Sequence, residues 1–406
     1  MRKILLVLLM APVIIACERD VATHENYVVL VSFDGCRWDY PDLYDTPQLD
    51  AMAAEGVKAE RVISSFPTKT FPNHYAIATG LYPDHHGIIN NTFYAPDLDR
   101  LYRIGNREMV RNGDFYEGEP IWNTAEKQGV TTASFFWVGS EAPVQGMQPT
   151  YWKIYDGSIP FSDRVDTVIH WLKSPIERRP RLVMLYFQQP DGIGHDYGPA
   201  HPETGKVVGE LDALLGRLRN KINKLPHGDR VNLIVTSDHG MGATSSERYV
   251  NMYDHMKTEW IESVVGGNPM YLVDAVDAYE DSVTLSLDRT EGITAWRREQ
   301  VPAQLHYGTH PRIPDVVLVA DSSWSVGTSP DPSGYTGGAH GYDNRNTDMH
   351  HIFYAAGPAF KSGYVHPPFE NVQIYGIIAH ILGLDPAPTD GDISVVEDLF
   401  AAPLAE

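Results

Sequence analysis

The sequence predicts an α/β protein with a largely parallel central sheet and helices on both faces. Short apolar runs closed by polar residues alternate with longer segments that have the spacing of helices. Strands that alternate with helices form parallel sheets, because each helix carries the chain back across one face. Several of the apolar runs end in aspartate or histidine, and α/β enzymes place their sites at these strand ends.

The predicted strands are short apolar segments, each followed by a polar turn. With the loops that follow some of them, they span residues 26–35, 131–137, 181–198, 231–241 and 351–360. Their near-continuous apolar character is typical of strands that are buried on both faces.

Four segments carry helix signals and would cover the sheet. They span residues 46–56, 161–174, 201–222 and 371–384. The first has a threonine cap, a proline at its first position and a glycine at its end. The next two are amphipathic, and the last closes the fold.

The alternation weakens between about residues 242 and 338. Strand-like segments at 269–274 and 314–321 flank a polar, charged stretch. We therefore expect one catalytic domain over about residues 24–400, with a smaller subdomain inserted into it.

The charge of the chain narrows the classes of ligand. The formal net charge over 406 residues is −21. A nucleic-acid duplex is therefore not an expected partner, since phosphate backbones are bound by lysine and arginine. A small phosphate ester stays possible as substrate, because a bound metal can invert the local field.

The amino terminus has the features of an export signal. Residues 1–17 contain a basic start, an apolar run and then Ala16-Cys17, which resembles the lipobox of bacterial lipoproteins. We expect an exported protein, periplasmic or membrane-anchored in a bacterium through lipidated Cys17. A plain signal peptide is the alternative. The only other cysteine is Cys36, and one leftover thiol cannot form an intrachain disulfide.

Metal-ligand chemistry is concentrated at the ends of the predicted strands. Asp191 and His195 are four residues apart, which places both on one side of a turn or short helix. Asp238 and His239 are adjacent and can serve neighbouring metals, while Asp34 and His340 complete the set. Taken singly, an aspartate after a strand is often a helix cap and a lone histidine is often a surface residue.

Together these carboxylates and imidazoles suit zinc or, less specifically, manganese or another divalent ion. Six protein ligands would serve two ions with three each, leaving an open position on each ion for nucleophile and substrate. Such a site predicts metal-dependent hydrolysis.

The segment at 64–88 supplies the candidate nucleophiles, Thr68 and Thr70. Thr70 lies nearest a helix whose first turn would contain Pro72, and backbone N–H groups at a helix start favour anions. A metal can activate a hydroxyl without a histidine base. Thr70 as a simple helix cap is an equal alternative, and Thr68 is expected to be structural.

The other polar residues of this segment are expected to lie outside the chemistry. We expect Lys69 to be solvated, with a substrate contact as the alternative. His74, His85 and His86 are interpreted as packing or turn residues.

The order of the motifs resembles the nucleotide pyrophosphatase/phosphodiesterase (NPP) family of the alkaline phosphatase superfamily. The resemblance runs from about Tyr27 to at least Leu384 and rests on VSFDGCRWDY, FPTKTFPNHYAIATGLYPDHHGIINNTFYAP, PDGIGHDYGP, TSDHGM and GAHGYDN. It implies an alkaline phosphatase-like fold in the compact bacterial form, without the accessory domains of large animal members.

The resemblance also implies residue roles. Thr70 matches the nucleophile, and Asn91 matches an asparagine that hydrogen-bonds a phosphoryl oxygen. Phe71 and Tyr155 match aromatic residues that sandwich the base, with plain core packing as the alternative. The ligands of the two zinc ions would be Asp34, Thr70, Asp238 and His239 for one, and Asp191, His195 and His340 for the other.

The implied reaction is hydrolysis of nucleotide phosphodiester or pyrophosphate bonds through a nucleotidyl-threonine, which releases nucleoside 5′-monophosphates. Three alternatives stay open: a phosphodiesterase for choline-phosphate or lysolipid diesters, a phosphomonoesterase of the same superfamily, and a binding lipoprotein with inactive metal sites. The sequence does not determine the oligomeric state.

Overall fold

The structure, a computed structural model, describes residues 25–404. The predicted signal peptide and lipobox with Cys17 lie outside these residues. Within them, no helix is both long enough and apolar enough to cross a membrane.

The strands differ in length, and the longest buried ones lie at the centre of the fold. In chain order they are β1 (Tyr27–Phe33), β2 (Val57–Ala59), β3 (Val62–Ile63), β4 (Thr92–Ala95), β5 (Arg100–Arg103), β6 (Thr132–Phe135), β7 (Tyr151–Trp152), β8 (Leu182–Phe187), β9 (Val231–Thr236), β10 (Gly242–Thr244), β11 (Tyr249–Asn251), β12 (Ile261–Gly267), β13 (Met270–Ala275), β14 (Ile293–Arg297), β15 (Val316–Ala320), β16 (Ser325–Gly327), β17 (Gly337–Ala339), β18 (Phe353–Ala356), β19 (Tyr364–His366) and β20 (Phe369–Glu370).

The α-helices include the four that the sequence predicts. They are α1 (Tyr40–Leu43), α2 (Pro47–Glu55), α3 (Thr70–Thr79), α4 (Pro83–His86), α5 (Arg107–Val110), α6 (Ile121–Lys127), α7 (Phe161–Leu172), α8 (Asp191–Tyr197), α9 (Pro202–Ile222), α10 (Glu280–Asp288) and α11 (Gln373–Leu382).

Eight strands form the central sheet, in the order β19-β2-β18-β9-β1-β8-β6-β7. β1 lies between β8 and β9 and is parallel to both. β18 is antiparallel to β9 and to β2. The predicted α/β fold is therefore confirmed, and the sheet is mostly, not purely, parallel.

Alternate residues of β1 enter two hydrophobic cores, one on each face of the sheet. Val28 and Leu30 pack into the core that includes Ile77 of α3 and Ile374 of α11. Val29 packs into the core that α7 and α9 cover. With both faces covered, the polar residues after the strands are left at one edge of the sheet, where a site can form.

A second, four-stranded antiparallel sheet has the order β12-β13-β15-β14 and packs with α10 around its own small core. It lies within the range where the sequence predicts an inserted subdomain. The division into a domain and an insertion stays a prediction.

Candidate active site

The carboxyl ends of the three central strands bring three aspartates together. Asp34 follows β1, Asp191 begins α8 after β8, and Asp238 follows β9. The backbone joins the first two, because Asp191 N–H donates to Asp34 O at 2.9 Å. Gly35, at φ +70°, permits this approach, since a Cβ there would lie 2.9 Å from the Asp191 Cα.

The six predicted metal ligands form two groups, and within each group the ligand atoms lie within 4.8 Å of one another. One group is Asp34, Asp238 and His239, all buried, and the other is Asp191, His195 and His340. The two groups adjoin, since the rings of His239 and His340 stack with centroids 3.5 Å apart.

The three histidines are held so that Nε2 faces the carboxylates. Each places Nδ1 against a backbone carbonyl oxygen: Gly338 for His195 at 2.8 Å, Gly240 for His239 at 2.8 Å, and Thr68 for His340 at 2.9 Å. An imidazole that donates Nδ1–H in this way presents an unprotonated Nε2, which is the form that ligates metal.

Each of the three aspartates at the site has one carboxylate oxygen that accepts no hydrogen bond from the described part of the chain. Among the described residues, Asp34 Oδ1, Asp191 Oδ1 and Asp238 Oδ2 are buried without a hydrogen bond of good geometry. The ring nitrogens of His239 and His74 do approach Asp238 Oδ2, to 3.0 and 3.2 Å. Buried carboxylate oxygens without donors are costly unless a cation binds them. The donor set therefore fits divalent metal ions.

The electrostatics of the two ligand groups lead to the same conclusion. Burial, with Asp238 and Asp191 close by, raises the pKa of Asp34 well above its usual value. Burial also acts to raise the pKa of Asp238, but His239 and His74 outweigh it and hold that pKa well below its usual value. Burial, with His239 and His195 nearby, lowers the pKa of His340. The site disfavours extra negative charge until a cation enters.

Thr70 is the first residue of α3 and lies beside the first group, with Oγ1 3.2 Å from His239 Nε2. Lys69 occupies the cap position of the helix, and no side chain caps it. The alternative that Thr70 is only a helix cap is therefore wrong. Thr68 is structural as expected, since its Oγ1 donates to Tyr342 O at 3.0 Å and accepts from Gly341 N.

The remaining predicted site residues surround a cleft of about 350 Å³ in front of Thr70. Thr70, Asp34 and Asp191 line it together with both aromatic candidates, Phe71 and Tyr155. Asn91 lies beside it, where Oδ1 accepts the Phe71 N–H at 3.0 Å. That bond orients the carboxamide and leaves Nδ2 as a donor.

Comparison with known proteins then decides the family. Residues 28–343 match the family model for type I phosphodiesterase / nucleotide pyrophosphatase. The chain belongs to this family.

Two human relatives illustrate the extent of similarity within the family. Ectonucleotide pyrophosphatase/phosphodiesterase family member 1 is 33% identical over 388 residues, 93% of this chain and 42% of that protein. Family member 5 is 32% identical over 379 residues, 93% of this chain and 78% of that protein. The chain thus spans less than half the length of the first of these relatives.

A solved structure of the murine member 5, an inactive threonine-to-alanine variant in complex with AMP, has a similar fold. It superposes with a TM-score of 0.88 at 32% identity and covers 93% of this chain and 100% of that chain.

In this phosphodiesterase-family chain, Lys69 lies in a different environment from the one that the sequence predicts. The expectation that it is solvated is wrong, because only 7% of it is exposed. Its ammonium donates to Asn268 O at 2.7 Å, in the turn between β12 and β13. Burial lowers the pKa of Lys69 to about 7. Lys69 thus connects the start of α3 to the second sheet.

The histidines of the 64–88 segment have three different environments. His86 is buried and packs as expected, with Nε2 3.1 Å from Pro72 O. His85 is exposed and pairs with Asp390 at 2.7 Å. His74 is buried as expected, but its Nδ1 also lies 3.2 Å from Asp238 Oδ2, so it supports a candidate metal ligand.

Sequence reasoning missed three further residues around the site. Tyr186 donates its hydroxyl to Asp34 Oδ2 at 2.5 Å, but it lies inside an apolar strand where the sequence gives no polar signal. Arg107 pairs with buried Glu141 and lies over the Tyr155 ring, with the guanidinium carbon 5.8 Å from the ring centroid. Both charged residues line the cleft.

Proposed function

We propose that the protein hydrolyses nucleotide phosphodiester and pyrophosphate bonds and releases nucleoside 5′-monophosphates. The supporting observation is that one cleft contains Thr70, carboxylates of both metal-ligand groups, and the aromatic pair Phe71 and Tyr155. The proposed nucleophile, anion-binding centre and base slot thus line the same cleft.

The metal content belongs to this proposal. Asp34, Thr70, Asp238 and His239 would hold one divalent ion, and Asp191, His195 and His340 would hold the other. Mixed carboxylate and imidazole ligands favour zinc. Bound zinc would supply Lewis-acid stabilisation of the charge on the phosphoryl oxygens and on the threonine.

The residues of the chain would then perform a two-step substitution. Thr70 Oγ1 forms a bond to phosphorus while the bond to the leaving oxygen breaks, and the proton that Thr70 loses is balanced by one that the leaving group gains. Water cleaves the resulting nucleotidyl-threonine and restores the hydroxyl. The murine relative that holds AMP is an inactive threonine-to-alanine variant, which supports this role for Thr70.

Substrate orientation would depend on groups next to the nucleophile. Asn91, whose Oδ1 accepts the Phe71 N–H, would donate from Nδ2 to a phosphoryl oxygen, and the positive end of the ten-residue helix α3 would favour the same negative charge. Phe71 and Tyr155 would stack on either side of the base, which tolerates different bases because every base has a π face.

The substrate class is tested by comparing three chromogenic esters with and without chelator: 4-nitrophenyl thymidine 5′-monophosphate, 4-nitrophenyl phosphate and 4-nitrophenyl phosphorylcholine. We expect the first to be cleaved far faster than the others, with activity lost on chelation and in Thr70→Ala. Thr79→Ala, in the same helix, serves as the matched control. Equal or faster cleavage of the monoester or of the choline ester would replace the proposal with the corresponding alternative.

We also propose that the protein is exported and anchored through Cys17 in the periplasm or at the membrane of a bacterium, on the pattern of residues 1–17. Labelling with palmitate in cells would test this. Incorporation that disappears in Cys17→Ser is expected, and labelling that persists in that variant would contradict it.

A further inference from the structure

Arg164, in α7, is a fully buried arginine that pairs with no carboxylate among residues 25–404. Its exposed fraction is 0%, and none of its hydrogen bonds to the described residues ends on an acid. The guanidinium instead donates to three backbone carbonyl oxygens, at 3.4 Å to Gly157, 3.2 Å to Ile159 and 2.9 Å to Tyr186. Burying a charge is costly unless it is hydrogen-bonded, so these three bonds stabilise the guanidinium. They also link the backbone at Gly157, Ile159 and Tyr186 to α7.

Aromatic rings surround the same guanidinium. Its central carbon lies 4.8 Å from the ring centroid of Phe161, 5.1 Å from that of Phe136 and 5.8 Å from that of Phe187. Contacts of a buried cation with ring faces are favourable and directional. They fix the rings relative to the charge.

These contacts converge on one wall of the cleft. Gly157 follows Tyr155 by two residues. Because Arg164 donates to both Gly157 O and Tyr186 O, it joins the loop that contains Tyr155 to the end of β8. Phe136 packs edge-on against Tyr155, with centroids 5.2 Å apart. Phe136 has φ +75°, an unfavourable conformation for a bulky residue, which needs support from neighbouring packing.

We infer that Arg164 is a positioning residue of the base slot: it fixes the Tyr155 loop and the Phe136 wall so that Tyr155 stands opposite Phe71 before a nucleotide arrives. A slot formed in advance saves the ordering cost of binding. This inference rests on the proposed function. It assigns part of the recognition of the nucleotide base to Arg164, a residue that would not touch the substrate.

The test separates base recognition from chemistry. Arg164→Lys keeps a cation but cannot reach three carbonyls, and Arg164→Met removes the charge. Both variants are assayed on 4-nitrophenyl thymidine 5′-monophosphate and on methyl 4-nitrophenyl phosphate, which has a methyl group in place of the nucleoside. We expect KM for the nucleotide ester to rise about tenfold, which corresponds to the loss of about 1.4 kcal/mol of base stacking. We expect kcat to change less than about twofold.

Constants for the methyl ester are expected to stay at parent values. The AMP dissociation constant, measured by calorimetry in the Thr70→Ala background, is expected to rise by the same factor as KM. Arg179→Lys is the matched control, because Arg179 also donates to a carbonyl, Ser174 O at 3.0 Å, and packs on an aromatic ring, but lies outside the cleft lining.

Several results would overturn the inference. Equal losses on both substrates would show general structural damage, and an unchanged KM for the nucleotide would show that the slot does not depend on Arg164. If the arginine variants do not fold, Phe136→Leu tests the same wall, and an unchanged nucleotide KM there contradicts the inference. A parent enzyme inactive on the nucleotide ester would instead refute the proposed function.

Discussion

His74 Nδ1 lies 3.2 Å from Asp238 Oδ2, and both side chains are fully buried. The other ring nitrogen of His74 lies 2.8 Å from Ser32 Oγ in β1. The helix that begins with Thr70 therefore carries its own contact to a proposed metal ligand, and the His74 ring links the helix of the proposed nucleophile to that ligand and to the central sheet.

Replacing this ring is expected to weaken metal binding. In His74→Gln, Asp238 loses the partner that orients it, and residues in this supporting role typically change metal affinity by about 10- to 100-fold. Competition with a chromogenic chelator measures the affinity for zinc. His86→Gln, a buried histidine substitution that leaves Asp238 untouched, is the control, and parent affinity in His74→Gln would contradict the assignment.

Asp34→Asn is expected to stabilise the protein without metal and to reduce its stabilisation by metal, because the group of Asp34, Asp238 and His239 loses a ligand while the group of Asp191, His195 and His340 stays intact. Asp34 and Asp238 are buried and Asp191 is partly buried, so the three carboxylates repel one another without a cation, and removing one charge relieves roughly 1–3 kcal/mol of that cost. Thermal unfolding with chelator and with added zinc shows both effects. Asp166→Asn, which removes an exposed charge pair, should change neither curve appreciably. A metal-free Asp34→Asn protein less stable than the parent would argue against charge repulsion.

Tyr155→Ala is expected to raise KM for a nucleotide ester about 5- to 100-fold, the range for losing one stacked face. The metal groups do not include Tyr155, so kcat on methyl 4-nitrophenyl phosphate should be unchanged. Tyr279→Ala removes an exposed tyrosine that stacks on Trp260, outside the cleft lining, and is the control. Equal KM values for Tyr155→Ala and the parent would leave Tyr155 as a packing residue.

The free energy of unfolding is expected to decrease as the pH falls, in part because buried His86 resists protonation in the folded chain. Burial lowers its pKa to about 3 in the folded chain from an ordinary value of 6.5, so the unfolded chain binds a proton first as the pH drops. The folded state therefore loses up to about 1.4 kcal/mol per pH unit between these two values. Urea unfolding of metal-free protein at pH 4.5 and 7 should show a smaller pH dependence in His86→Gln, and identical dependence would exclude His86 as a source.

Much of the fold could be predicted because its signals are local. Apolar runs specified the central strands, and the proline and glycine around Pro47–Glu55 marked the ends of α2. Five of the six ligand candidates could be selected because they lie at the ends of predicted strands, whereas His340 lies in a glycine-rich stretch that adjoins no predicted strand. Their roles came from the family resemblance, and the structure contributes their proximity.

What could not be predicted depends on distant contacts. The burial of Lys69 requires a carbonyl of Asn268, 199 residues further along the chain. The direction of β18 leaves no trace in its composition, because a buried strand has the same apolar pattern whether it runs parallel or antiparallel to its neighbours. Arg164 resembles an ordinary surface residue of an amphipathic helix until the loop after Tyr155 folds against it.

The ligands of the proposed metal centre are contributed by segments that are far apart in the sequence, from Asp34 to His340. No fragment made early in synthesis contains both groups, so metal capture would have to wait until the whole catalytic region has assembled. For a chain exported unfolded, as a form of the export proposed above, the metal ions would bind only after translocation, and activity would then depend on the divalent metal supply of the destination compartment.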